Sequence, residues 1–282
     1  MPGIEEVAGA VTAVTGFEKG SGKTTFLNLA LPYARVGGPV AIFTIGVDGA
    51  HKARETSAPG GELRVEPGDV VLTTEAFARA SDARFEVLEA IPGRTSLGQL
   101  LLGRAVRPGS VTLVGPEHLS TLAQLIQRVR EEGWVRSVLV DGAVNRLTQV
   151  SALGPMQFVF TVRVDPANLE RVAERLKSLE ALATLPQAPA QGLELHGPVT
   201  PAELKALPEG AAAFSAEDFT KFFLEPDELL RTLTRYQVTL RRRFPLLGFA
   251  VTLRNLERAE FLRAVGAQAG ARVLFNPFEV AS

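Results

Sequence analysis

The chain has 282 residues, 46% hydrophobic and 22% charged, which is the composition of a globular protein able to bury a sizeable core. Lys and Arg number 30 against 31 Asp and Glu, so a formal net charge of −1 provides no chain-wide field that would gather nucleic acid. The absence of cysteine excludes disulfides, thiolate metal ligands and cysteine nucleophiles. Arg outnumbers Lys and there are only 2 methionines, a bias that fits a thermophile. The opening Met-Pro-Gly-Ile-Glu-Glu is acidic where a secretory signal is basic, and no apolar run reaches 18 residues. The expectation is a soluble cytoplasmic protein with no membrane partner.

Short, continuously apolar runs alternate with helical patterns over the first 185 residues or so. Strands are predicted at Val11–Thr15, Val40–Ile45, Val70–Thr73, Val111–Val114, Val138–Val140 and Phe158–Val162. Helices are predicted at Lys23–Val36, Leu119–Glu132 and Asp165–Leu182, the last with Leu169, Val172, Leu176 and Leu179 along one face. This alternation predicts an α/β domain over residues 1–185, its mostly parallel sheet covered by helices on both faces. Residues 186–191 read as a Pro-containing linker. Residues 192–282 change rhythm and predict a small α+β appendage. Its strands fall at Leu193–Leu195, Leu246–Leu253 and Arg272–Phe275, and its helices at Pro201–Leu207, Asp227–Leu233 and Leu256–Ala269.

The segment carrying most chemistry is Gly16-Phe17-Glu18-Lys19-Gly20-Ser21-Gly22-Lys23-Thr24-Thr25, between a predicted strand and a predicted helix. Glycines let backbone N–H groups approach phosphate oxygens without an intervening Cβ. A helix starting near Lys23 adds its unpaired N–H groups and the positive end of its dipole. Lys23 is the candidate for the β- and γ-phosphates, and Thr24 for Mg²⁺, a hard ion suited to hydroxyl, carboxylate and phosphate oxygens. Thr25 is expected to hold the start of the helix. Five residues separate Gly16 from Gly22, one more than the usual spacing.

The segment resembles the phosphate loop of the P-loop NTPase superfamily. Within it, the string is similar to the branch holding dethiobiotin synthetases, molybdopterin-guanine-dinucleotide synthesis proteins, partition ATPases and metallocentre-insertion GTPases. The resemblance implies a three-layer α/β fold, a bound nucleoside triphosphate with Mg²⁺, and an acidic residue after the second strand near metal and nucleophile. Asp48, in Gly46-Val47-Asp48-Gly49, is the candidate for that residue, and relatives in this branch imply a homodimer.

A P-loop enzyme also needs a carboxylate at the end of another strand. Asp141, closing Val138-Leu139-Val140, is the better candidate for metal and catalysis, and Glu75 the weaker. As Asp-Gly, Asp141 also reads as a simple turn. Asn145 and Arg146 are candidates for the γ-phosphate, and Lys52 and Arg54 for a switch or substrate loop. His51, His118 and His196 lack metal-ligand spacing. Thr95-Ser96-Leu97-Gly98 reads as a helix cap or an anion-binding turn. Arg241-Arg242-Arg243 reads as a charged strand edge rather than a nucleic-acid patch. The GTPases of this branch read guanine with Asn/Thr-Lys-x-Asp. Val162-Arg163-Val164-Asp165 keeps only the Asp, so ATP is expected over GTP. The functional expectation is an ATPase acting on a protein partner, as in reactivation or cofactor loading of a metabolic enzyme. The alternatives are a small-molecule kinase or ligase, a GTPase, and a nucleotide-sensing module that hydrolyses nothing.

Overall fold

Six consecutive buried residues, Val11–Gly16, form strand β1 and set the character of the first half of the chain. The computed structural model describes residues 3–18, 20–45, 63–143, 156–187 and 193–277. By internal contacts the chain forms two compact units, residues 1–162 and 163–282.

In the first unit, β1 is followed by α1 (Lys23–Ala34), β2 (Val40–Thr44), β3 (Leu63–Val65), β4 (Val70–Thr74) and α2 (Glu75–Ala80). Then come β5 (Arg84–Thr95), β6 (Gly98–Arg107), β7 (Gly109–Val111), α3 (Leu119–Glu131), β8 (Ser137–Ala143) and β9 (Gln157–Val164). The main sheet of this unit runs β9-β1-β8-β2-β4-β6-β5. The five strands from β9 to β4 are parallel, and β6 and β5 continue the sheet as an antiparallel hairpin. The structure is therefore α/β, with a mostly parallel sheet flanked by helices.

The predicted strands β1, β2, β4, β8 and β9 form, because continuous apolar runs suit strands covered on both faces. The expectation at Val111–Val114 is corrected. Only Gly109–Val111 is strand, and it pairs with β3 outside the main sheet. The β5–β6 hairpin is not predicted from sequence. Its charges, including the Glu86–Arg104 ion pair, hide the strand period, and register shifts interrupt β5.

A buried carboxylate fixes the parallel end of this sheet to α1. Asp69, 1% exposed, accepts Arg35 Nη2 at 2.5 Å, Glu66 N at 2.9 Å and Val40 N at 3.3 Å. One carboxylate thus ties the end of α1, the start of β2 and the turn before β4.

In the second unit the elements are α4 (Leu169–Ala183), β10 (Glu194–Leu195), α5 (Pro201–Lys205), β11 (Ala213–Ala216) and α6 (Pro226–Arg235). They continue with β12 (Gln237–Leu240), β13 (Leu246–Leu253), α7 (Arg258–Ala271) and β14 (Val273–Phe275). Two expectations are corrected here. Helix α4, assigned from sequence to the first domain, packs on α6 and α7, and the contact boundary precedes the expected linker. The expected α+β appendage has parallel strands throughout: β10-β11-β12 form one sheet, and β13 pairs in parallel with β14. Parallel neighbours need crossover connections, and α5, α6 and α7 lie between the strands in sequence. Helix α4 also begins after Asp165-Pro166, because the Asp165 carboxylate caps a turn by accepting Ala167 N at 2.9 Å and Asn168 N at 3.1 Å.

Two predictions follow from these ties. Asp69→Ala should lose about 3 kcal/mol of stability, because a buried pair loses one partner and two N–H groups lose their acceptor. Chemical unfolding checks this, and a loss below about 1 kcal/mol would contradict it. In the second unit, Lys221, 3.0 Å from Glu217 and bonded to it, holds that carboxyl below the usual glutamate value, with Arg242 and Arg241 adding to the effect. A depressed carboxylate contributes stability above its unfolded value, and that contribution disappears as pH falls through the folded value. Thermal melting between pH 6 and about pH 3 should therefore fall less steeply in Glu217→Gln than in the parent.

Candidate functional site

At the carboxyl end of β1, Gly16 lies in register between Thr161 of β9 and Ala143 of β8. Paired residues of parallel strands share a face. A Cβ on Gly16 would sit 1.9 Å from Ser21 Oγ, so the chain after β1 folds back over the face that Gly16 and Thr161 share. The Thr161 hydroxyl meets Ser21 Oγ at 2.8 Å and donates to the Thr15 carbonyl at 3.3 Å. Either hydroxyl can be the donor in the Ser21–Thr161 bond. The Thr161 carbonyl accepts Phe17 N at 3.3 Å, and the Phe17 ring lies 5.8 Å from that of Phe160. Ser21 N donates to the Glu18 carbonyl at 3.3 Å, closing the turn.

Gly20 and Gly22 have φ of 79° and 97°, a region that L side chains rarely adopt. Gly22 is the N-cap of α1 and its carbonyl accepts Phe26 N at 2.9 Å. It brings no side-chain cap, and the first turn holds no acidic residue. Lys23, Thr24 and Thr25 form that turn, half-buried. The amino end of α1 therefore has no carboxylate of its own cap or first turn to compensate its dipole, with a lysine at its first residue.

Asp141 is brought to the same side. It pairs with Val14 of β1 and Thr44 of β2, two residues before the Gly16–Ala143 pair, so it shares the face of Gly16 and Thr161. Ser137, four residues earlier on that face, donates to the Ala34 carbonyl of α1 at 2.6 Å. Helix α1 therefore lies over this face with its amino end toward the carboxyl ends of β1 and β8. Asp141 is not the last residue of its strand, as expected from Asp-Gly, because β8 continues to Ala143. Its backbone carbonyl accepts Ile45 N at 2.9 Å, and the Ile45 side chain closes over Gly142.

Gly16, Gly20, Ser21, Gly22, Lys23, Thr24, Thr25 and Asp141 thus belong to one strand–loop–helix corner and the neighbouring strand. Lys19 and Asp48 lie outside the described residues, as do Asn145, Arg146, Lys52, Arg54 and His51. Glu75 opens α2, where Thr74 is the cap, and pairs with Arg79. Thr95–Gly98 is the tip of the β5–β6 hairpin, with the Gly98 carbonyl bonded to the Thr95 hydroxyl, and not a helix cap. His118 is the exposed N-cap of α3, and His196 is 77% exposed. Arg241 pairs with Glu194 at 2.5 Å and Arg242 with Glu217, so two of the three arginines are neutralised locally. Among the described residues, no three His, Asp or Glu side chains gather as a metal cluster.

Two participants were missed from sequence. Thr161 is the one fully buried polar residue of β9, a lone hydroxyl in an apolar run. Thr15, at the root of the loop, is 1% exposed and its hydroxyl has no hydrogen-bond partner among the described residues. No protein-family model, curated protein or solved structure matches this chain.

Gly16→Ala should displace Ser21 from Thr161, because the added methyl and the Ser21 hydroxyl cannot share one position. The expected cost is about 1–3 kcal/mol, the range for overpacking a tight site. Thermal unfolding at parental stability would show that the loop and β1 do not meet this closely.

Proposed function

We propose that the chain is a P-loop NTPase of the three-layer type that binds ATP, in preference to GTP, with Mg²⁺ at Gly16–Thr25. In this reading it hydrolyses the triphosphate to drive a conformational change on a protein partner. The observation that carries the reading is the amino end of α1: it has neither side-chain cap nor acidic first turn, it follows a glycine-walled loop, and it begins at Lys23. A bare helix start of this kind suits a polyphosphate, whose oxygens take up the backbone donors.

Each residue then has a defined task. Backbone N–H groups of Gly22, Lys23 and Thr24 cradle the β-phosphate, and Lys23 spans the β- and γ-phosphates. Thr24 and Asp141 would hold Mg²⁺ through a hydroxyl and a carboxylate, oxygen donors of the hard kind this ion takes. When bound, the ion would offset part of the triphosphate's negative charge. Asp48 is assigned by resemblance to orient the attacking water. Water adds to the γ-phosphorus, the bond to the β–γ bridging oxygen breaks, and ADP and inorganic phosphate leave. Phosphoryl transfer is catalysed chiefly by positioning and charge, which is what this corner offers.

The Asp165 carboxylate is engaged by Ala167 N and Asn168 N, which supports ATP over guanine readout at that position. The second unit supports a partner-directed role. Its arginine run is largely neutralised by its own carboxylates, while Phe223 is 58% exposed.

The test is a thermal-shift panel of ATP, GTP and CTP with Mg²⁺. ATP at a hundred times its Kd should stabilise the parent by about 2.7 kcal/mol, and Lys23→Ala should abolish the shift. Equal shifts in parent and variant would overturn the proposal, and Mg²⁺-dependent phosphate release would distinguish hydrolysis from binding alone.

A further inference from the structure

We infer that Thr161 is the positioning residue of the phosphate loop: it acts through Ser21 to set the loop path that presents the backbone donors of Gly22–Thr24 to a triphosphate. The inference rests on the nucleotide-binding reading above.

Thr161 holds the loop at both ends. Its carbonyl takes Phe17 N, the first residue after β1, and its hydroxyl joins the Thr15 carbonyl at the root to Ser21 near the far end. Both side chains are shielded from water, Thr161 at 0% and Ser21 at 3% exposure. A buried hydroxyl that loses its partner costs far more than an exposed one, so the loop cannot drift from Thr161 without moving Ser21 into water. Ser21 adjoins Gly22, whose left-handed conformation begins α1, and two residues later comes Lys23. A shift of Ser21 is therefore a shift of the helix start and of the lysine. The missing Cβ of Gly16 is the complement of this arrangement, since it leaves the space that Ser21 Oγ occupies beside Thr161.

The loop here has one residue more than the usual spacing. An added residue gives a loop more paths, and a side-chain bond to a neighbouring strand selects one of them. Thr161 touches no phosphate in this scheme. It works through Ser21, so its effect should appear in affinity and loop protection rather than in the fold.

The experiment compares the parent with Thr161→Val, Thr161→Ser and Ser21→Ala, all as the full chain. Valine keeps the β-branched shape that a strand accepts and removes only the hydroxyl. Two readouts are taken: hydrogen exchange of the 17–25 amides without nucleotide, and the Kd for ATP with Mg²⁺. Thr161→Val is expected to exchange faster in the loop and to bind ATP at least tenfold more weakly, with unchanged protection in β1 and β8. Thr161→Ser should restore both to within about threefold, a rescue that loss of packing alone would not give. The double variant Ser21→Ala with Thr161→Val should be no worse than Thr161→Val alone, because the bond that Ser21→Ala removes is one of the two that Thr161→Val removes. Unchanged loop exchange in Thr161→Val, or a serine variant as poor as valine, overturns the inference. A parent that binds no triphosphate overturns the functional reading instead, and the exchange data then decide alone whether Thr161 shapes the loop.

Discussion

The close approach of Ser21 to the backbone of Gly16 is the constraint around which the corner is organised. It requires a residue without Cβ at the end of β1 and a hydrogen-bonding partner on β9. It also requires a left-handed residue at Gly22, so that α1 starts where the loop ends. The parallel sheet makes these demands compatible. With β9 and β8 on either side of β1, one register row carries Thr161, Gly16 and Ala143, and the row below carries Val159, Val14, Asp141 and Thr44. A loop docked on the upper row necessarily lies near the carboxylate of the lower one.

The corner has a stability cost. The Thr15 hydroxyl is buried without a partner among the described residues, a defect worth about 1–3 kcal/mol. The Asp69 network and the apolar strands around it offset that cost. Unfavourable local terms of this sort accumulate where geometry serves something other than stability.

Much of this was legible in the sequence, for physical reasons. β1 and α1 were readable because a strand covered on both faces must be continuously apolar and because the glycines of Gly-Ser-Gly-Lys-Thr-Thr mark a tight turn, at positive φ, just before a helix start. Asp141 was readable as an acid after an apolar run, though not its depth within β8, which depends on pairing with β1 and β2. Thr161 was illegible, because threonine is an ordinary strand residue and its role exists only through a neighbour 140 positions away. The β5–β6 hairpin escaped because its faces are mixed, with Glu86, Arg104 and Glu89 engaged in ion pairs. The parallel arrangement of β10, β11 and β12 escaped because strands of two to four residues carry no usable period.

The distance along the chain between Ser21 and Thr161 has a consequence for biosynthesis. The loop leaves the ribosome well before the strand that bonds to it, which is translated 140 residues later. At about 5–20 residues per second the interval is on the order of ten seconds. Throughout it the nascent chain carries the loop without the residue that Ser21 bonds. The Ser21–Thr161 bond therefore forms late, when β9 joins β1, so the order of translation itself keeps an incomplete chain from closing this corner.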